Sequence, residues 1–140
     1  MPKHIYETRV RAISGTKLPE VYKKAFALYQ NIKKKTKRRP YVRSEFFKKD
    51  KIFLEAYWQH LHQKAWKDRY RRVRFFPCGL ELVQNTRVSP VSKENPFDRS
   101  QILHRFTGIT PEKELFRVQI KEEKDTKNKW LMSIFPTNDI

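Results

Sequence analysis

Three segments in the C-terminal part of the chain are rich in apolar and β-branched residues. They read ILHRFTGIT at residues 102–110, LFRVQIKE at residues 115–122 and WLMSIF at residues 130–135. The second segment alternates apolar and polar side chains with a period of two, which is typical of a strand with one buried face. The polar stretches TPEKE and EEKDTKNK between the segments carry turn signals. The sequence therefore predicts an antiparallel meander of three or four strands.

Two helices are predicted before these strands. The first begins near Pro19, a residue type favoured in the first helical turn, and apolar residues recur at helical spacing as far as Ile32. Pro40 ends this segment, because the residue before a proline disfavours helical geometry. Ser44 is the predicted N-cap of a second helix, whose apolar stripe continues to about Tyr70.

The predicted fold class is α+β, with the N-terminal helices packed on one face of a C-terminal four-stranded antiparallel sheet. Residues 6–13 could add an edge strand, and residues 80–85 could form either a strand or a short helical turn. Residues 88–101, rich in Pro and Ser, are predicted to be a loop. Residues 1–75 would form a basic helical region and residues 76–140 the sheet, within one compact domain. This arrangement leaves the second face of the sheet open.

The positive charge of the chain is concentrated in its first half. Residues 1–75 hold 22 Lys and Arg against 6 Asp and Glu, a net charge of +16, whereas residues 76–140 hold 10 against 9. Such an excess favours an anionic partner. Nucleic acid comes first, as RNA that could belong to the ribosome or be transfer RNA, followed by an acidic protein or an anionic membrane. The residues predicted to bind RNA are Lys33, Lys34, Lys35, Lys37, Arg38, Arg39, Lys67, Arg71, Arg72 and Arg74.

Cysteine usage and hydropathy narrow the class of protein further. Cys78 is the only cysteine, so neither an internal disulfide nor a thiolate zinc cluster can form. No apolar run approaches the roughly 18 residues of a membrane span, and the N-terminus has no signal-peptide pattern. We therefore expect a cytoplasmic protein with no membrane partner, no metal site and no cofactor.

The predicted open face would collect polar side chains from the strands. In the second strand the apolar residues should meet the helices, so Arg117, Gln119 and Lys121 would point the other way. His104 and Arg105 are adjacent in the first strand and must point to opposite faces. Both faces of that strand are mixed, so alternation alone does not decide which of the two joins Lys121.

These residue types match the needs of metal-independent RNA cleavage, in which the ribose 2′-hydroxyl attacks the adjacent phosphorus. A histidine such as His104 can transfer protons near neutral pH. Arg105 and Lys121 would stabilise the phosphoryl charge, and Gln119 and Ser133 would position the substrate. If His104 and Lys121 lie on opposite faces, Arg105 keeps the site and the acid–base role of the histidine is lost.

Two other functions are compatible with the same residues. The chain could bind RNA or the ribosome without cleaving it, which would give a steep salt dependence. It could also be a magnesium-dependent nuclease that uses Asp98 with the Gln119-x-Lys121 strand, although a second strong carboxylate is missing. His60 and His62 are two residues apart, so on a helix they would face different directions and are interpreted as surface residues.

Three short motifs give the C-terminal part a family resemblance. HRFTG, FRVQIK and LMSIFP, within residues 70–136, resemble the phage- and plasmid-associated members of the barnase–EndoU–colicin–RelE-like nuclease superfamily. The resemblance implies helices packed on a four-stranded antiparallel sheet and a toxin-like endoribonuclease that leaves a 2′,3′-cyclic phosphate without a metal. It also implies an acidic antitoxin as a partner.

The resemblance carries site residues as well. The residues that match the motifs, and are therefore implied to be catalytic, are His104, Arg105, Gln119, Lys121 and Ser133. Barnase itself pairs a catalytic glutamate with its histidine, and this chain departs from that pattern. Glu81 is the one candidate for such a glutamate before the predicted loop at residues 88–101.

Overall fold

The computed structural model describes residues 5–138. Its helices are α1 (Leu18–Lys35), α2 (Glu55–His62), α3 (Trp66–Val73) and α4 (Phe76–Asn85). Its strands are β1 (Ile5–Glu7), β2 (Tyr41–Ser44), β3 (Asp50–Phe53), β4 (Val91–Asn95), β5 (Asp98–Ile109), β6 (Leu115–Glu123) and β7 (Lys129–Pro136). The first predicted helix and the three predicted C-terminal strands correspond to α1 and to β5, β6 and β7.

The predicted four-stranded antiparallel sheet is wrong, because the strands form a curled, mixed sheet of seven. Their order is β1-β5-β6-β7-β3-β2, and β4 pairs with another part of β5. The β1–β5 and β3–β7 pairs are parallel, and the other pairs are antiparallel. The strands that the sequence did not predict, β2, β3 and β4, have only four or five residues, and β1 has only three, at the start of the possible edge strand. So short a segment holds too few alternations to show a period of two.

The predicted second helix is also wrong over its first part. Instead of starting a helix, Ser44 ends β2, and its hydroxyl oxygen accepts a hydrogen bond from the Phe47 backbone at 3.2 Å. Lys48 and Lys49 follow with φ of 56° and 71°, so they turn the chain into β3. A Ser side chain accepts the same kind of bond in a turn as at a helix N-cap, which explains the error.

Residues 76–85 form α4, which resolves the ambiguity left by the sequence in favour of a helix, with a proline in its first turn. The predicted loop at residues 88–101 is wrong in large part, since β4 and the start of β5 pair there as a hairpin arm. Most of that arm is exposed, so its side chains carry no apolar pattern that would mark a strand.

One face of the sheet is buried by helices, whereas the side chains on the other face of β6 are only partly buried. Phe116, Val118 and Ile120 of β6 are fully buried on the covered face, as the sequence predicted. The aromatic ring of Phe75, at the N-terminal end of α4, stacks on Phe116 at 5.6 Å between centroids. Strand β3 pairs with only the first two residues of β7, and α2 and α3 contact the remainder of β7. We call the second face, which carries the odd-numbered residues of β6, the open face.

A glycine substitution tests the packing that holds β5 in register. A Cβ added at Gly108 would lie 2.4 Å from the Phe116 ring and 2.9 Å from Leu82. Both neighbours are buried, so Gly108→Ala should lower the free energy of unfolding by about 1–3 kcal/mol in urea denaturation. Thr107→Ser on the opposite face should change it by less than about 0.5 kcal/mol. Equal stability of the glycine variant and the wild type would contradict this packing.

Candidate nucleic-acid interface

His104 and Arg105 lie on opposite faces of the sheet. Across the strands, Arg105 lies opposite Gln119, which lies opposite Ser133. The Arg105 guanidinium donates a hydrogen bond of 3.2 Å to the Gln119 side-chain oxygen. Lys121 is two residues further along the same face. The structure therefore brings Arg105, Gln119 and Lys121 together on the open face, whereas His104 points to the covered face.

Ser133 occupies the same cross-strand row but is less accessible. Met132 has no partner on β6, and this bulge precedes Ser133 in the ladder. Ser133 is 7% exposed and lines a narrow seam between α2, α3 and β7, together with His60 and Arg72. It lies next to Gln119 in the sheet but beneath the helices.

Aromatic rings on β7 hold cations over the open face. The Arg72 guanidinium carbon lies 5.3 Å, and that of Arg105 5.7 Å, from the centroid of the Phe135 ring. The Lys121 ammonium lies 4.9 Å from the Trp130 ring. These distances fall within the range of cation–π attraction. Arg72 from the basic first half of the chain and Arg105 from the nearly neutral second half thus both lie beside the Phe135 ring.

Contacts between cations and aromatic rings are also present on β3 and β2, which come from the basic half of the chain. The Arg39 guanidinium lies 4.0 Å above the Phe53 ring. The Lys51 ammonium and the Arg43 guanidinium lie 4.7 Å and 5.4 Å from the Tyr41 ring. The neighbouring strands β2, β3 and β7 therefore each carry an aromatic ring with a cation beside it.

A cavity of about 530 Å³ joins this surface to the basic end of α1. Its walls combine five cationic side chains with two aromatic rings. The lining residues are Lys35, Thr36, Lys37, Arg38, Arg39, Tyr41, Lys51 and Phe53. The volume is in the range of small-molecule sites in proteins. The sequence predicted the basic tract but gave no sign that two aromatic rings would lie beside it.

The other basic residues predicted to bind RNA lie in two settings. Lys33 and Lys34 are exposed at the end of α1, and Lys67 and Arg71 are exposed on α3. By contrast, Arg74 is half-buried, and its Nε donates a hydrogen bond of 3.2 Å to the Ile13 carbonyl. It stabilises the entry to α1 rather than facing solvent.

On the covered face, His104 belongs to a buried polar network. Its Nδ1 lies 2.6 Å from the Ser92 hydroxyl, and its Nε2 lies 2.7 Å from a Glu122 carboxylate oxygen. The second Glu122 oxygen lies 3.8 Å from the Lys129 ammonium, which donates a hydrogen bond of 2.8 Å to Asp50. Both ring nitrogens of His104 are thus engaged. We name the residues Ser92, His104, Glu122, Lys129 and Asp50 the covered-face network.

Most of the covered-face network is not predictable from the sequence, because its residues are far apart along the chain. In the sequence, Glu122 stands between Lys121 and Glu123, which is typical of a solvated strand end. The alternation of β6 does predict a buried Glu122, since Glu122 continues the row of Val118 and Ile120 on the covered face. Nothing comparable marks Ser92 or Lys129, whose positions depend on strand pairing.

Glu81 does not supply the missing catalytic glutamate at the open face. Its carboxylate accepts hydrogen bonds from the Tyr6 hydroxyl at 2.7 Å and from the backbone N–H groups of Arg9 and Val10, each at 2.9 Å. Burial and this carboxylate raise the pKa of Tyr6 to about 12. Glu81 therefore fastens the N-terminal segment to α4.

The carboxylate and the histidines considered for other roles are engaged elsewhere. Asp98 accepts a hydrogen bond from the Ser100 hydroxyl at 2.6 Å, and this bond is the main cause of its lowered pKa. His62 lies 3.0 Å from the Tyr22 hydroxyl. Burial and then the nearby Lys64 lower the pKa of His60. Within residues 5–138 no group of three or more His, Cys, Asp or Glu side chains could hold a metal ion.

A scan of protein-family models and searches of curated proteins and of solved structures find no match to this chain. In the described part of the chain, no helix has both the length and the apolar character needed to cross a bilayer.

A lysine pair tests the covered-face network. Lys129 is 4% exposed, so Lys129→Met should leave Asp50 and Glu122 without their cation and lower the free energy of unfolding by about 3 kcal/mol. The loss should be smaller when Glu122→Gln is also present. Lys127→Met, at an exposed position two residues earlier, should change stability by less than about 0.5 kcal/mol. Equal effects of the two lysine substitutions, measured by urea denaturation, would contradict the network.

Proposed function

We propose that the protein binds single-stranded RNA across the open face of its sheet. The observation that carries the proposal is that the rings of Tyr41, Phe53, Trp130 and Phe135 each lie beside at least one lysine or arginine on this face. Aromatic side chains stack on unpaired bases, and neighbouring cations neutralise the phosphates that join them. A duplex hides the faces of its bases, so it would use only the cations.

The register of the strands supports a continuous path for the RNA. Tyr41 lies directly opposite Phe53, and Phe53 directly opposite Trp130. Each of these ring pairs has its centroids 6.4 Å apart. Three rings thus follow one another across adjacent strands. The cavity beside Tyr41 and Phe53 would receive the backbone at the basic end of α1.

Cleavage of the bound RNA is the second candidate function, and the contact between Arg105 and Gln119 beside Lys121 favours it. In our proposal Arg105 and Lys121 stabilise charge on the phosphoryl oxygens, as metal-independent cleavage requires. Gln119 orients them, with Ser133 directly opposite Gln119 in the neighbouring strand. His104 takes no direct part, because its ring is on the other face. An acidic antitoxin, as the family resemblance implies, would compete with RNA for the same cations.

Binding is tested by aromatic substitutions and fluorescence anisotropy with a labelled single-stranded RNA. Trp130→Ala and Phe53→Ala should each weaken binding by about 5- to 100-fold, because stacking on one base contributes about 1–3 kcal/mol. Trp66→Ala is the control, since Trp66 is 62% exposed and belongs to α3 rather than to the strands that carry the aligned rings, although Lys67 lies 5.8 Å from its ring. Unchanged affinity in both open-face variants, or a larger effect of Trp66→Ala, would contradict the proposal.

Cleavage is tested by an RNA digest in EDTA followed by analysis of the ends. The expected products carry 2′,3′-cyclic phosphates, and Arg105→Ala and Lys121→Ala should each lower the rate by about 100-fold or more. Arg87→Ala, 85% exposed in its side chain beyond α4, should leave the rate unchanged. Activity that disappears in EDTA and returns with magnesium would favour the metal-dependent alternative. Tight binding with intact RNA would leave a non-enzymatic RNA-binding protein.

A further inference from the structure

Ser92 and His104 form a cross-strand pair in the hairpin arm. They are direct partners in the β4–β5 ladder, and the serine oxygen lies 2.6 Å from the imidazole Nδ1. Ser92 is exposed, and in the described chain β4 pairs with β5 alone. The outer edge of β4 is therefore unpaired in the described chain, and Ser92 is in contact with solvent.

The partner of Nε2 determines which way the proton between Ser92 and His104 points. An ionised carboxylate can only accept hydrogen bonds. The second Glu122 oxygen lies 3.8 Å from the Lys129 ammonium, so the carboxyl group is held between Lys129 and His104. With a carboxylate at Glu122, the neutral tautomer of His104 that satisfies both contacts carries its proton on Nε2 and presents an unprotonated Nδ1 to Ser92. The serine hydroxyl donates to that nitrogen.

The imidazole is held in this orientation by packing as well. The Phe47 ring meets the His104 ring edge to face, with centroids 4.9 Å apart. The His104 side chain is 9% exposed and that of Glu122 is 11% exposed, so neither can rotate freely. A nucleophile within hydrogen-bond reach of a base, with the base oriented by a third group, is the arrangement that activates serine in hydrolytic enzymes.

We infer that Ser92 is an activated nucleophile that attacks activated acyl groups such as esters, with His104 as its general base and Glu122 as the residue that positions the histidine. This inference is independent of RNA binding, because the covered-face network lies on the other side of the sheet from the open face. A network with a purely structural role would leave Ser92 no more reactive than any other exposed serine.

The expected reaction has two balanced steps. The Ser92 oxygen forms a bond to the ester carbonyl carbon, while its proton passes to His104 Nδ1. The ester C–O bond then breaks, and the leaving alcohol oxygen takes that proton. Water next attacks the acyl-serine in the same way, which releases the carboxylic acid and restores the Ser92 hydroxyl.

The test is covalent labelling of the full-length folded protein with a fluorophosphonate probe, mapped by peptide mass spectrometry. Ser92 displaces fluoride in this reaction, and its proton leaves with the fluoride. Ser92 should react at least about 100-fold faster than Ser89, an exposed serine nearby in the chain, because general base catalysis contributes at least about this factor. Ser89→Ala should leave the labelling rate at Ser92 unchanged.

Glu122→Gln is the variant that separates catalysis from structure. A glutamine amide can donate to Nε2, which moves the imidazole proton to Nδ1 and removes the base from Ser92. Labelling should then fall by about 100-fold or more, with the circular dichroism spectrum unchanged. Equal labelling of Ser92 and Ser89 in the wild type would overturn the inference, whether or not the variant folds. Undiminished labelling of a folded Glu122→Gln would also overturn it.

Discussion

The antiparallel ladder between β5 and β6 determines which side chains of this protein can act together. It runs without a register shift through nine residue pairs, from Gln101 opposite Glu123 to Ile109 opposite Leu115. Because side chains alternate along a strand, a slip of one residue would exchange the two faces and bury the cations. The buried Phe116 ring against Gly108 opposes such a slip. The placement of Arg105 on the open face and of His104 in the covered-face network depends on this register.

The sequence predicted best where a strand is long and one of its faces is fully buried. Alternation placed Gln119 and Lys121 of β6 correctly on the open face. It could not separate His104 from Arg105, because β5 carries apolar and polar residues on both faces, and only its pairing with β6 and β4 decides between them. Pairing between distant segments leaves no local pattern, so the contacts of Ser92 with His104 and of Phe53 with Trp130 could not be predicted.

Strand β3 connects the two halves of the chain physically. It pairs with β7 through only two residues, yet this contact places Phe53 beside Trp130 and brings Lys51 and Arg39 to the same surface. Cationic side chains from the first half of the chain thereby lie on the same surface as aromatic residues from the second half. The sequence showed that both features exist, but their combination depends on a short parallel pairing between segments about 75 residues apart.

The proposed position of RNA on the open face can be mapped by ultraviolet cross-linking. A uridine-rich single-stranded RNA would be cross-linked to the protein, and the modified peptides mapped by mass spectrometry. We expect cross-links at Tyr41, Phe53 and Trp130, and excess unlabelled single-stranded RNA should suppress them at a lower concentration than duplex RNA does. Cross-links confined to Trp66 on α3 or to Phe97, 95% exposed at the tip of the hairpin arm, would contradict this position of the RNA.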